Sequence, residues 1–197
     1  MKTLIIIPVL LFSLLLGAPS YSADFNKGLT AAQIGDYATA IIEWKPLVEE
    51  GNAIAQYNLG LIYDEGLGVP QDYKEAVRLY TLAAKQGHAK AQYNLGLMYR
   101  NKQVVPQDYE EAVRLYTLAA EEGFAEAQNN LANRFYYGQG VIEDFVYAHM
   151  WKNLASSNGY EPAREQLKII EKKMTSSDIS EAQRLARECI KKNYKGC

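Results

Sequence analysis

The chain has 197 residues, 48% of them apolar, with 21 Lys and Arg against 23 Asp and Glu and a formal net charge of -2. Such a balance offers no cationic footprint for phosphates, which excludes a nucleic-acid-binding domain, and the apolar share excludes a disordered chain. Two cysteines are too few for a disulfide scaffold and lack the paired spacing of a zinc site.

The first element is an export signal. Lys2 precedes an apolar stretch from Leu4 to Leu16, broken only by Pro8 and Ser13, and a small-residue run from Ser20 to Ala23 comes next. A charged start, a short apolar core and a small-residue exit make a secretory signal peptide over residues 1–23, cut after Ser22 or Ala23. Its apolar run is well short of the ~20 residues a membrane-spanning helix needs; an uncleaved anchor is the alternative. No later segment is long and apolar enough to span a bilayer. The expected location is the periplasm, with secretion beyond it also open.

A repeat organises the rest of the chain. Residues 53–88 and 89–124 align without gaps and agree at 25 of 36 positions, and residues 125–160 keep the same skeleton. Such self-similarity marks an array of supersecondary units. Within each unit Ala55, Leu59, Ile62 and Tyr63 fall on one face of a first helix. Gly60 and Gly96, with Ala132 in the third unit, are small residues suited to close helix approach. Asp72 and Asp108 are expected to cap the second helices, with Glu75 and Glu111 completing a capping box. Tyr73, Ala76, Val77, Tyr80, Ala83 and Ala84 form the second helix's apolar face. Residues 24–52 read as a shorter leading hairpin turning at Gly35. Residues 161–197 read as a partial repeat and then a capping helix from about Ile179 to Lys192, which hides the apolar flank of the array.

The pattern A-x-A-Q-x-x-L-G-x-x-Y, then G-x-G-V-x-x-D-x-x-x-A, then A-A-x-x-G, closely resembles the Sel-1-like repeat. It is carried by Ala53, Ala55, Gln56, Leu59, Gly60, Tyr63, Gly66, Gly68, Val69, Asp72, Ala76, Ala83, Ala84 and Gly87 and their counterparts 36 and 72 positions later. The leading hairpin is similar to a plain tetratricopeptide unit. The resemblance implies an all-α, right-handed α/α solenoid with an adaptor or scaffold role in protein binding. Some cysteine-rich relatives are associated with penicillin binding or β-lactam hydrolysis, but their per-repeat cysteines are absent here. The second unit departs from the pattern with Lys102 and Val104 in place of glycines. If those glycines adopt positive φ, the loop from Asn101 to Val105 should differ in backbone from its counterparts.

A stripe on the first helices, rotated roughly 130° from the apolar face, is the candidate partner-binding surface. It comprises Tyr57, Asn58 and Leu61, then Lys90, Tyr93, Asn94, Leu97 and Arg100, then Asn129, Asn130, Asn133 and Tyr137. Asparagine amides can bond an extended peptide backbone, and tyrosines supply rigid amphipathic surface. The resemblance to tetratricopeptide grooves implies peptide binding on these faces. The alternative is that the asparagines bond neighbouring helices and the tyrosines pack between units. The expected partner is a protein or peptide, not nucleic acid, and the chain is expected to be a monomer.

No nucleophile, base or phosphate-loop motif occurs, so an enzyme is disfavoured and no cofactor or metal is expected. His88 and His149 stand far apart and are expected at the surface. Cys189 and Cys197, close together at the end of the last helix, are expected to pair in an oxidising compartment, with a free reactive thiol as the alternative.

Overall fold

The computed structural model describes residues 23–102 and 105–197. Most of the export segment, with its signal-peptide reading, and Val104 lie outside the described residues. Ten helices occur among them: α1 (Phe25–Gln33), α2 (Tyr37–Glu49), α3 (Ala53–Glu65), α4 (Tyr73–Lys85), α5 (Ala89–Asn101), α6 (Tyr109–Glu121), α7 (Ala125–Tyr137), α8 (Phe145–Ser157), α9 (Ala163–Glu171) and α10 (Ser176–Lys191). Each packs chiefly on its neighbours in sequence, and α10 returns to α8. This is an α/α solenoid, with α3/α4, α5/α6 and α7/α8 as the three full hairpins. No helix among the described residues is long and apolar enough to cross a membrane.

Helix boundaries reflect the local chemistry. Asp72 accepts from the backbone N–H groups of Lys74 and Glu75, and Asp108 and Asp144 cap α6 and α8 by accepting from the N–H of Glu111 and of Tyr147. The expected capping boxes at Glu75 and Glu111 do not form. Those carboxylates turn outward to Arg78 and Arg114 one turn on, at 2.6 and 2.7 Å, because a guanidinium three residues away competes with a single backbone N–H. The true capping box is at Thr175 and Asp178, opening α10.

Alanines permit close packing of the helices. Ala55, Ala76, Ala91, Ala112, Ala127 and Ala148 are fully buried, around larger side chains such as Trp44, Leu59, Leu79, Leu95, Leu115 and Trp151. Leu79, which the sequence pattern left off the second helix's apolar face, belongs to the core. A chain of buried amides joins successive units. Gln56, Gln92 and Gln128 donate to the carbonyls of Val48, Ala84 and Ala120 at the end of the preceding helix. Gln86 then donates to Gln56 Oε1 and Asn158 to Gln128 Oε1. The matching position in the second unit is Glu122, a carboxylate with no proton to donate, and Gln92 Oε1 is left unpaired among the described residues.

Glu122 and its neighbour hold the C-terminus instead. Lys195 pairs with Glu122 at 2.5 Å, and the Gly196 N–H donates to Glu121 at 2.9 Å. The Tyr194 hydroxyl donates to Asn158, and its ring lies so close to Gly123 that a Cβ there would approach to 3.3 Å. Cys189 and Cys197 form a disulfide with Cα atoms 5.4 Å apart, closing this tail.

Two further expectations are not met at the residues described. The αL conformation that ends α3 at Gly66 (φ 68°) and α7 at Gly138 (φ 61°) is also adopted by Lys102 (φ 60°) at the end of α5. At Lys102 the backbone matches the other units, because the helix-closing N–H bond to Met98 outweighs the penalty of about 1–2 kcal/mol for a side chain at positive φ. Nor are the histidines at the surface. His149 is fully buried on α8, facing Glu171 at 3.2 Å. His88 is half-buried, stacked on Tyr57 at 4.6 Å and capping α5 through Nδ1.

Candidate functional site

The first-helix stripe is partly woven into the packing between units. The Tyr57 ring meets Tyr80 of its own hairpin at 6.0 Å and His88 of the next unit at 4.6 Å. One unit on, Tyr93 meets Tyr116 at 6.0 Å and Phe124 at 5.2 Å. Leu61 and Leu97 pack against the same clusters. A rotation of 130° takes these side chains off their own hairpin's core but turns them toward the adjoining unit. All four are half-buried and keep an open side.

The asparagines diverge. Asn94 donates to the Tyr80 hydroxyl at 3.2 Å, and that hydroxyl donates to Asp64 at 3.1 Å. Burial pushes both the Asp64 carboxyl and the Tyr80 hydroxyl upward. In the second unit Arg100 replaces Asp64 and cannot accept a proton. The buried Tyr116 hydroxyl has no carboxylate to donate to among the described residues and only the Asn130 amide beside it, and burial pushes its pKa up to about 12. Asn58 is half-buried, whereas Asn129 and Asn130 are buried. Lys90 is exposed, Arg100 is half-buried with its Nε on Asn101, and Tyr137 stands 61% exposed.

The third unit differs most. Where the first unit has Tyr57, Leu61 and Tyr80, and the second Tyr93, Leu97 and Tyr116, the third has Asn129, Asn133 and Lys152. The backbone arrangement is retained while the side chains change from an apolar layer to a polar one. Lys152 is 1% exposed, and its ammonium donates to Asn129 Oδ1 at 2.7 Å, Asn133 Oδ1 at 2.7 Å and Gln166 Oε1 of α9 at 2.5 Å. Burial pushes its pKa down to about 8. The exchange also explains Ala132. A Cβ on Gly60 or Gly96 would come within 2.7 Å of the Tyr80 or Tyr116 ring, and with lysine in the tyrosine position the third unit accommodates alanine.

A cavity of about 310 Å³ opens beside this cluster, lined by Asn133, Lys152 and Gln166 on one side and by Tyr137, Ile169 and Ile170 on the other, with Tyr136 between. Asn133 and Tyr137 are residues of the sequence-derived stripe. Lys152, Gln166 and Ile169 are not, because a search of first helices passes over a second helix and the partial repeat. Aligning the three units at positions 80, 116 and 152 carries the missing signal: two tyrosines and then a lysine.

The Sel1 repeat model matches residues 53–88, 89–124 and 125–160. A search of curated proteins finds no significant match. Among solved structures, a Sel1 repeat protein from Oxalobacter formigenes is similar with a TM-score of 0.73 and 26% identity, over 84% of this chain and 75% of that one. A protective antigen present in uropathogenic Escherichia coli strains, displaying an SLR fold, gives a TM-score of 0.54 and 27% identity. That likeness covers 86% of this chain but 46% of the antigen, so this chain spans less than half of that protein's length. With three consecutive repeats covering more than half of its residues, the chain belongs to the Sel1 repeat family.

Proposed function

We propose that this chain is an exported, non-enzymatic adaptor that binds a protein or peptide on the first-helix face of its solenoid. Sel1 repeat proteins generally mediate protein–protein interaction. The observation that carries the reading is the stripe on α3, α5 and α7. Its tyrosines and leucines are anchored on one side by inter-unit packing and open on the other. Anchored aromatics with a free face present contact area whose rotamer entropy is already lost, which favours binding. The export reading rests on the leading segment, and a disulfide-closed terminus is compatible with an oxidising compartment.

The structure dictates which residues to alter. Removing Tyr57 or Tyr93 would disturb the packing between units and confuse folding with binding. Asn58→Ala, Lys90→Glu and Arg100→Glu together change the half-buried and exposed polar part of the face without entering the buried core. The triple variant should melt within a few degrees of the parent and lose partners captured from envelope extract by the tagged chain. Unchanged capture by a folded triple variant would place binding elsewhere.

A further inference from the structure

The cavity between α7, α8 and α9 contains a positive charge that its surroundings solvate but do not neutralise. The hydrogen-bond partners of Lys152 among the described residues are all neutral amide oxygens, from Asn129, Asn133 and Gln166, with the Asn129 carbonyl at 3.5 Å. Amide oxygens satisfy the three N–H donors yet leave the net charge in place, and a buried uncompensated cation favours an anion brought to it. Burial holds the ammonium's pKa at about 8, with no carboxylate raising it. The carboxylates on α9 are engaged elsewhere, Glu165 with Lys168 at 3.0 Å and Glu171 with His149 at 3.2 Å. A second cation stands near the rim, where Lys173 Nζ lies 4.9 Å over the Tyr136 ring.

The donors needed to receive an anion are present. An amide that turns its oxygen to an ammonium turns its NH2 away from it. Asn133 and Gln166 both line the cavity, and neither amide nitrogen donates to another described residue. The opposite wall is apolar, formed by Tyr137 and by Ile169, which is 53% exposed, over buried Ile170. A volume of about 310 Å³ accommodates a carboxylate with one attached apolar group and lies at the small end of ligand pockets. The polar set also replaces, at three matched positions, the apolar set of the other two units.

We propose that this cavity is a carboxylate-binding subsite. The carboxylate meets the Asn133 and Gln166 amides next to the Lys152 charge, and the apolar group attached to it rests on Tyr137 and Ile169. The adaptor reading bears on the source of the carboxylate, a partner's chain terminus or its acidic side chain, and not on the chemistry of the cavity.

The test is calorimetric titration of the full chain, with four probes: an N-acetylated pentapeptide ending in leucine with a free carboxylate, its C-terminal amide, an amidated peptide carrying one internal glutamate, and free 4-methylpentanoate. Acetate and inorganic phosphate serve as controls. A carboxylate probe should bind at least about tenfold more tightly than the amidated leucine peptide, the scale of a charge-assisted hydrogen bond. That advantage should vanish in Lys152→Met. Tyr137→Ala and Ile169→Ala, at exposed positions that leave the fold intact, should weaken the leucine-ending probe several-fold while leaving acetate binding unchanged. Whichever of the three carboxylate probes binds identifies the source. Equal binding of acid and amide, an unchanged preference in Lys152→Met, or inorganic phosphate binding as tightly as the best carboxylate would each overturn the assignment. Carboxylate binding by a chain that captures no partner would leave the subsite standing and defeat the adaptor reading; capture without carboxylate preference would do the reverse.

Discussion

The first and third hairpins share a backbone plan and differ in what they bury between helices. In α3/α4 the layer is Tyr57, Leu61 and Tyr80, with Gly60 giving the Tyr80 ring its space. In α7/α8 the same positions hold Asn129, Asn133 and Lys152, with Ala132 in place of the glycine. The repeat scaffold thus specifies helix positions through its alanines, caps and amide chain, and leaves this layer free to vary. An aromatic layer favours rigidity. A cation held by amides sacrifices some stability, and beside a cavity it favours recognition.

The severest challenge to this comparison is to move the lysine. Tyr116→Lys would place an ammonium among Tyr93, Leu97 and their neighbours, beside Arg100 and Arg134, with no carboxylate and no set of amide oxygens arranged for it. It should destabilise the chain by about 3–5 kcal/mol in urea unfolding. Adding Tyr93→Asn and Leu97→Asn should recover part of the loss. A single-variant cost under about 1 kcal/mol would mean that the amide set is not what makes Lys152 tolerable.

The next largest effect is a pH dependence. Lys152 loses its proton near 8 in the fold and near 10.4 in the unfolded chain. Between those values the unfolded chain binds more protons, so this group makes stability rise with pH through that window. Below about 8 the fold carries the whole cost of the buried charge. The rise should be on the order of 3 kcal/mol, read as the difference between wild type and Lys152→Met in denaturant midpoints from pH 7 to 10.5. Parallel curves for the two proteins would show that the ammonium is not strained by burial.

Smaller effects sharpen the contrast at the glycine position. Gly60→Ala should cost about 1–2 kcal/mol, since overpacking against Tyr80 exceeds the gain in helix propensity. Ala132→Gly should also cost about 1 kcal/mol, from propensity and the lost methyl contact. Thermal melts of the two variants should therefore both fall. A stabilised Gly60→Ala would show that the Tyr80 ring can retreat. Smallest is Lys102→Gly, which relieves the positive φ of the second unit and should add up to about 1 kcal/mol. A neutral result would mean that the αL turn there exacts less than expected.

Much of the fold was legible because it rests on repeated signals. The hairpins, the aspartate caps at Asp72 and Asp108 and the glycine-permitted approach at Gly60 each recur where one principle predicts them. What escaped depended on competition between neighbours. Glu75 has two possible partners, and only geometry shows that Arg78 wins. His149 looks like a polar residue on a helix until α9 brings Glu171 to it. The stripe of Tyr57 and Tyr93 was visible as non-core for a single hairpin, but stacking creates a second interface that one hairpin does not reveal. Lys152 was hidden by its residue type: a lone lysine reads as surface, and its burial comes from its register with Tyr80 and Tyr116.

The C-terminal tail changes how the end of the array should come apart. Terminal units of a solenoid ordinarily open first, because each has a neighbour on one side only. Here Tyr194, Lys195 and Gly196 reach back across the whole third hairpin to Asn158, Glu122 and Glu121, with the disulfide closing the tail on α10. The third hairpin is thereby gripped from both sides, and it cannot peel away without first releasing the tail. Hydrogen exchange should then be slowest in the last full hairpin and faster at α1 and α2. The chain resembles a zip with a stop at one end.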